Sequence, residues 1–276
     1  MKLNRQQAGL SLVELMIALV IGSFLILGAT QLYLSSKQNQ LFAGSSAENL
    51  DGARYSTMVL DEELSKAGFR RAPDQNMTTA FPSASISDCK NFAAGSAIAP
   101  LSDGSSSGFC FRYQPATNDE TSCSGQQVGV SRAPFSPSPS SELVYVIISF
   151  EEGDELQDGA LRCTSIQGNS DPESDIIIDG VADFRVFMAE GDPTERRLQS
   201  AELKLASAIG ANAIVRAMGY EILLASGPNR RDGESKVFTE YLSGLDQARR
   251  TELQSKDKRH VYQVATGGQA IRNLMP

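Results

Sequence analysis

The sequence predicts an α+β fold: a long N-terminal α-helix, apolar throughout its first half and amphipathic in its second, packed on a mostly antiparallel β-sheet domain. Three observations predict it. Residues 15–34 carry no charge; helix-compatible sequence continues without Pro until Pro73; and from residue 109 onward short alternating or β-branched runs are separated by turn-rich segments. The 276 residues, 41% hydrophobic and 21% charged, suffice for one ordinary domain plus a helical stalk, or for two small domains.

The N-terminal segment comes first. Residues 1–9 are polar and include Lys2 and Arg5. In residues 15–34 only Ser23, Thr30 and Gln31 are clearly polar. At about 1.5 Å per residue this stretch reaches about 30 Å, the thickness of a bilayer core. The preceding cations favour a cytoplasmic N-terminus and export of the rest. A conventional secretory signal has a shorter apolar core and a better small-residue site than Gly28-Ala29-Thr30. A plain signal anchor explains the length but not Glu14. A carboxylate inside hydrocarbon costs about 2.5–3.5 kcal/mol at the centre and less near the interface, so it calls for a cationic partner.

Gly9-Leu10-Ser11-Leu12-Val13-Glu14-Leu15 resembles the class III signal of type IV prepilins. The resemblance implies that a prepilin peptidase cuts after Gly9, that Leu10 becomes the methylated N-terminal residue, and that Glu14, fifth counting from Leu10, is the filament-assembly carboxylate. Glu14 of an incoming subunit would then pair with the Leu10 amine of a neighbour, offsetting the burial of its charge and setting the register of packing. The sequence departs from the family in carrying Leu10 where Phe is usual, and in having no Pro within the apolar run. Gly22 and Gly28 are the positions where that helix could bend.

Beyond the apolar run, Leu50, Ala53, Thr57, Leu60, Leu64 and Ala67 recur at three- or four-residue steps and predict one buried helix face. Gly44 and Gly52 are weak points in this stretch, and Gly68 before Phe69 predicts a helix stop in a left-handed cap. Glu48-Asn49-Leu50-Asp51-Gly52-Ala53-Arg54-Tyr55, then Leu60-Asp61-Glu62-Glu63-Leu64 and Ala67-Gly68-Phe69, are similar to minor pilins of the PilW type. The tail, with residues 259–264 and the Arg272-Asn273 ending, resembles the same group.

Residues 72–141 are rich in Ser, Pro, Gly, Ala and Asn and predict loops, with one strand over residues 109–113. Further strands are predicted over 143–150, 160–166, 181–188, 218–225 and 260–265, and helices over 195–208 and 240–253. The organisation that follows is a leader at 1–9, a transmembrane and filament-core helix at 10–34, its amphipathic continuation at 35–68, and a β-rich periplasmic domain at 69–276.

Four cysteines, Cys89, Cys110, Cys123 and Cys163, all follow the apolar run. In an oxidising compartment they form two disulfides; otherwise they are buried thiols. Four cysteines allow three connectivities. The PilW-type resemblance implies Cys123–Cys163, leaving Cys89 with Cys110.

No catalytic constellation is present: there is no GxSxG, SxxK, Walker loop or GxGxxG, and no enzyme activity is expected. The lone His260 lies in an expected strand and reads as structural. A single His excludes a His-rich metal site, the cysteine spacings match no zinc motif because there is no CxxC, and no cofactor is expected. Calcium is the one cation the carboxylates of Glu151, Glu152, Asp154 and Glu155, or of Asp171, Glu173 and Asp175, could take, although neither group has EF-hand spacing. A net charge of -8 disfavours nucleic acid as a partner. The pairs Arg70-Arg71, Arg230-Arg231 and Arg249-Arg250 read as solvated turns or helix faces.

The expected function is that of a minor pilin in type IV pilus assembly, held as a single pass in the inner membrane and later packed near the pilus tip. Its partners would be other minor pilins, the major pilin, the prepilin peptidase and the inner-membrane assembly machinery. A J-type pseudopilin of type II secretion is the alternative, and a tip adhesin or DNA-uptake pilin a further one.

Overall fold

A computed structural model describes residues 11–133, 135–168, 170–191, 202–210, 213–271 and 273. The chain divides into two compact units, Met1–Gly44 and Ser45–Pro276. Helix α1, Leu12–Lys66, contributes to both. Within the first unit it is an isolated helical segment, and Gly22, Gly28 and Gly44 meet no other part of the chain.

The second unit begins with the last turns of α1, which face the sheets through Ser45, Asn49, Ala53, Ser56, Leu60, Glu63 and Leu64. This corrects the expected face: Leu50 is 40% exposed, while Asn49 beside it is buried. Two of the polar members bond to named carbonyls. The Asn49 Nδ2 donates to the Val261 carbonyl at 2.8 Å, and Ser56 Oγ donates to the Ala53 carbonyl at 2.9 Å. Gly68, at φ 70°, ends the helix in the left-handed region.

Helix α2 (Met77–Ala80) is followed by β1 (Ile98–Pro100), β2 (Gly108–Tyr113), β3 (Val144–Glu151), β4 (Ala160–Gln167) and β5 (Glu173–Asp179). These strands form a five-stranded antiparallel meander in chain order. Strands β6 (Val181–Glu190), β7 (Lys204–Leu205), β8 (Val215–Ala225) and β9 (Tyr262–Ala270) form a second antiparallel sheet, ordered β7-β6-β8-β9. Leu60 and Leu64 of α1 share one core with Phe109, Phe111, Val146 and Ile148 of the first sheet and Phe184, Val186 and Ile222 of the second. The α+β architecture, a long N-terminal helix with antiparallel sheets, is therefore the one the sequence predicts.

Several elements differ from expectation. β5 lies where no strand was expected and where Glu173 and Asp175 read only as candidate calcium carboxylates; it is an edge strand whose residues are mostly exposed, so its charges sit on solvent-facing positions that carry no apolar pattern. In the expected helix at 195–208, residues 195–201 lie outside the described residues, and 204–208 form β7 and one 3-10 turn. The helix expected at 240–253 is two helices, α3 (Lys236–Ser243) and α4 (Gln247–Lys256). The break follows from Gly244, whose carbonyl accepts from Arg185 Nη1 at 2.7 Å, and from Asp246, which caps α4 by accepting from the N–H groups of Ala248 and Arg249.

The segment read as loops is largely irregular but not peripheral. Arg112 is fully buried under it and donates to four carbonyls: Ser96 at 2.8 Å, Pro82 at 2.6 Å, Phe81 at 3.2 Å and Ala93 at 3.1 Å. Its guanidinium lies 4.7 Å from the Phe92 ring centroid and 5.5 Å from that of Phe81. Among the described residues no carboxylate pairs with it, and burial lowers its pKa below the usual arginine value. Carbonyl dipoles and aromatic faces thus take the place of a counter-ion.

The arginine pairs are corrected as well. Arg71 is buried and binds the carbonyls of Pro115, Ala116, Arg132 and Ala133 at 2.7–3.3 Å, fastening the loop after β2. Arg231 is buried between Asp257 and the His260 carbonyl. Arg249 ion-pairs with Asp183, Glu152 and Glu252, and Arg250 caps the end of α3 through the Leu242 carbonyl. Side chains that read as solvated charges are internal staples, because the irregular chain offers carbonyls that only a multidentate donor can satisfy together.

Candidate functional site

The chemistry-bearing segment is the first part of α1. Between Leu12 and Lys37 the only charged residue is Glu14. The large apolar side chains from Leu12 to Leu34 are 53–76% exposed, and an 18-residue window of the helix reaches a mean hydropathy of 2.5 with no residue buried against the chain. α1 is therefore long and apolar enough to cross a membrane.

Its polar groups are arranged for such a medium. Ser23 Oγ donates to the Val20 carbonyl and Thr30 Oγ1 to the Ile26 carbonyl, both at 2.8 Å. These hydroxyls are satisfied on their own helix and need no partner in the surroundings. Glu14 lies in the first turn and is exposed. A carboxylate there interacts favourably with the helix N-terminus and leaves both oxygens available to a cation. Gly9 and Leu10, the expected cleavage and methylation residues, lie outside the described residues.

The other singled-out residues are distributed over the second unit. Cys89 is joined to Cys110 and Cys123 to Cys163, each pair with Cα atoms 6.1 Å apart. The first bridge ties the segment before β1 to β2; the second ties the loop after β2 to β4. Loop 114–133 is thereby held twice, by sulfur and by Arg71. The acidic group at 151–155 is occupied by cations: Glu151 by Arg162 at 2.7 Å, Glu152 by Lys256 at 2.6 Å and Arg249 at 3.3 Å, and Glu155 by Lys258. Asp175 Oδ1 accepts from the N–H of Ile176 on its own strand. No cluster of three or more His, Cys, Asp or Glu suited to a metal ion occurs among the described residues. His260 is fully buried with Nδ1 at 2.6 Å from the Ser226 carbonyl.

Sequence reasoning missed the buried polar residues that seat α1 on the sheets. Besides Asn49, Tyr220 on β8 donates its hydroxyl to Asp61 Oδ1 at 3.0 Å, and Asn273 Nδ2 donates to the carbonyls of Ser65 at 2.8 Å and Ala67 at 3.0 Å. The Asp61 carboxylate and burial together raise the Tyr220 pKa, burial being the larger cause. Nothing in local periodicity signals these contacts, since the partners lie 159–212 residues apart.

Comparison with known proteins bears on the N-terminal segment. Residues 4–30 match the family described as the prokaryotic N-terminal methylation motif. No curated protein matches the chain. The solved structure of the type IV-like pilin TTHA1219 from Thermus thermophilus is similar with a TM-score of 0.35 and 15% identity, covering 83% of this chain and 97% of that one. A likeness that loose bears on neither the fold nor the function of this chain.

Proposed function

We propose that the protein is a type IV pilin-like assembly subunit, a minor pilin of the PilW type, processed after Gly9, methylated on Leu10 and held in the inner membrane by α1 until it is packed into a pilus. The observation that carries this reading is the single carboxylate, Glu14, at the start of an apolar and uncovered helix, inside the segment that matches the N-terminal methylation motif. In a bilayer Glu14 sits at the interface, where its cost is small. In a filament core it needs a cation, and the Leu10 amine of a neighbouring subunit supplies one. The exposed apolar side chains of α1 pack first against lipid and then against other helices.

The two disulfides support a second unit on the oxidising side of the membrane. The seated sheets then act as a rigid head whose contacts are to other pilins and to the assembly machinery.

Glu14→Val tests the reading. Leader removal at Gly9, read by mass spectrometry of the membrane-bound protein, should continue at the wild-type level. Incorporation into sheared pili should fall at least ~10-fold, in line with the loss of a buried ion-pair partner. Wild-type incorporation of Glu14→Val would remove the assembly role of this carboxylate.

A further inference from the structure

The two sheets present four edges, and three of them are protected against a further strand. β5 carries Glu173, Asp175 and Asp179. β1 is three residues long and ends in Pro100, whose carbonyl accepts from the Lys90 N–H at 2.9 Å. β7 is two residues, one of them Lys204, and beyond it the Val186 N–H of β6 donates to the Ser106 carbonyl at 2.8 Å. Charge, proline, shortness and capping are the usual protections of a strand edge. β9 has none of them. It runs for nine residues, Tyr262–Ala270, without a charge or a proline, and its register against β8 is unbroken. Among the described residues β8 is its one strand neighbour.

The ladder fixes which groups of β9 face outward. The Ser226 N–H donates to the Val261 carbonyl and the Ile271 N–H to the Arg216 carbonyl, both at 2.9 Å. The odd-numbered residues therefore bond to β8, and the even-numbered ones from Val264 to Ala270 turn N–H and C=O to the open side. Thr266 and Gly268, in the middle of this row, are exposed.

A groove adjoins this edge on each face of the sheet. Ala265 belongs to the core that Leu60 and Leu64 of α1 enter, and the groove on that face, about 450 Å³, is lined by Ala53, Thr57 and Met58 together with Arg54 and Asp61. Val264 packs in the cluster beneath α3, and the groove on that face, about 490 Å³, is lined by Val237, Glu240 and Tyr241 of α3 together with Arg185 and Glu221. Successive side chains of an added strand point to opposite faces, so alternate ones enter each groove.

We infer that β9 is a docking edge for one extended strand of another protein, with apolar side chains towards α1 and a basic one towards α3. Main-chain hydrogen bonds supply the affinity, and the two grooves supply the sequence preference. The charge balance sets this pattern. On the α1 side Arg54 and Asp61 offset each other; on the α3 side Arg185 already pairs with Glu221, and Glu240 is a second carboxylate. A lysine of the incoming strand complements it. The β9 strand of a second copy carries no cation and lacks this match. The inference rests on the second unit and is independent of the role proposed for Glu14.

The test uses the full-length protein in nanodiscs and a fluorescent, end-blocked probe peptide, Thr-Val-Lys-Val-Thr-Val-Thr, whose valines form one face. The expected result is saturable binding, read by fluorescence anisotropy. Two further probes are N-methylated, one on its valines and the other on its lysine and threonines. One of the two should lose at least ~10-fold in affinity and the other should bind like the parent, because only alternate N–H groups of the added strand face β9. Thr266→Pro removes an outward N–H and leaves the β8 ladder intact, so it should weaken binding at least ~10-fold with an unchanged circular dichroism spectrum. Glu240→Lys should weaken it about 3-fold or more. The methylated probes need no protein variant, so they decide the matter if Thr266→Pro fails to fold. No saturable binding below about 1 mM, an equal response to the two methylated probes, or full binding to folded Thr266→Pro or to Glu240→Lys would overturn the inference. So would a dimer of the protein that Thr266→Pro abolishes, which would make a second copy the occupant.

Discussion

Residues 12–44 and 45–66 are parts of the same helix, yet their side chains answer to different surroundings. In the first stretch every large apolar side chain up to Leu34 is more than half exposed. In the second, Leu60 and Leu64 are buried, and so are the polar Ser45, Asn49, Ser56 and Glu63. Hydrophobicity therefore does not report burial along α1. The uniformly apolar part is made for a medium outside the chain. The mixed part is buried because two sheets supply both apolar contacts and hydrogen-bond acceptors. A helix apolar all round cannot choose a face, whereas a helix with a few buried polar groups is fixed in rotation by their partners.

The largest expected effect that sharpens this comparison is a pair of identical truncations. Leu60→Ala, at a fully buried site in the shared core, should cost about 2–5 kcal/mol in denaturant unfolding of the second unit. Leu19→Ala, at a site 66% exposed, should leave that unfolding within about 0.5 kcal/mol of wild type. Equal costs at the two sites would break the distinction.

A smaller effect is expected from Asn49→Ala. It removes one of the two bonds to the Val261 carbonyl, which still accepts from the Ser226 N–H at 2.9 Å, at a cost of about 0.5–1.5 kcal/mol in the same assay. Asn49→Leu, which restores apolar volume, should recover little, because the loss is one of hydrogen bonding.

The smallest effect is in pH dependence and contrasts Glu63 with a half-buried carboxylate on the surface, Glu142. Burial raises the Glu63 pKa above the ordinary carboxylate value of 4.5, and the Lys66 ammonium at 2.6 Å only partly offsets it. Its folded state then holds the proton more tightly than its unfolded state. The stability it contributes is fully present below the unfolded pKa and is lost as pH rises through the raised folded pKa. Glu142 behaves oppositely, since Arg132 lowers its pKa, and the stability it gives is lost as pH falls through that lowered value. Urea midpoints measured on both sides of pH 4.5 should therefore show that Glu63→Gln removes a component of stability that grows on acidification. A wild-type pH profile in the Glu63→Gln variant would contradict the assignment.

Much of this was legible in the sequence. Strands β2, β3, β4, β6 and β8 announce themselves by apolar alternation or by β-branched runs, and each was expected within a few residues of its observed position. β5 was not, because an edge strand with one neighbour and exposed faces needs no apolar pattern; its carboxylates read only as a possible calcium group. α3 and α4 read as one helix although Gly244 and the Asp246 cap break it; the Gly244 carbonyl released there is taken by Arg185, 59 residues earlier. Glu14 stood out by sequence because a charge next to an apolar run is unusual wherever it occurs. Arg71 and Arg112 did not, since an arginine has the same local signature whether it meets water or a set of buried carbonyls.

The sequence by itself determined the long apolar helix with its one carboxylate, the helix stop at Gly68, the antiparallel strand pattern and the even number of cysteines. Each depends on composition or periodicity within a few neighbouring residues. Only the tertiary structure decided which face of α1 is buried and which arginines become internal staples. Those outcomes depend on acceptors and surfaces brought from distant parts of the chain, as Val261 is to Asn49 across 212 residues, and no local pattern encodes such a partner.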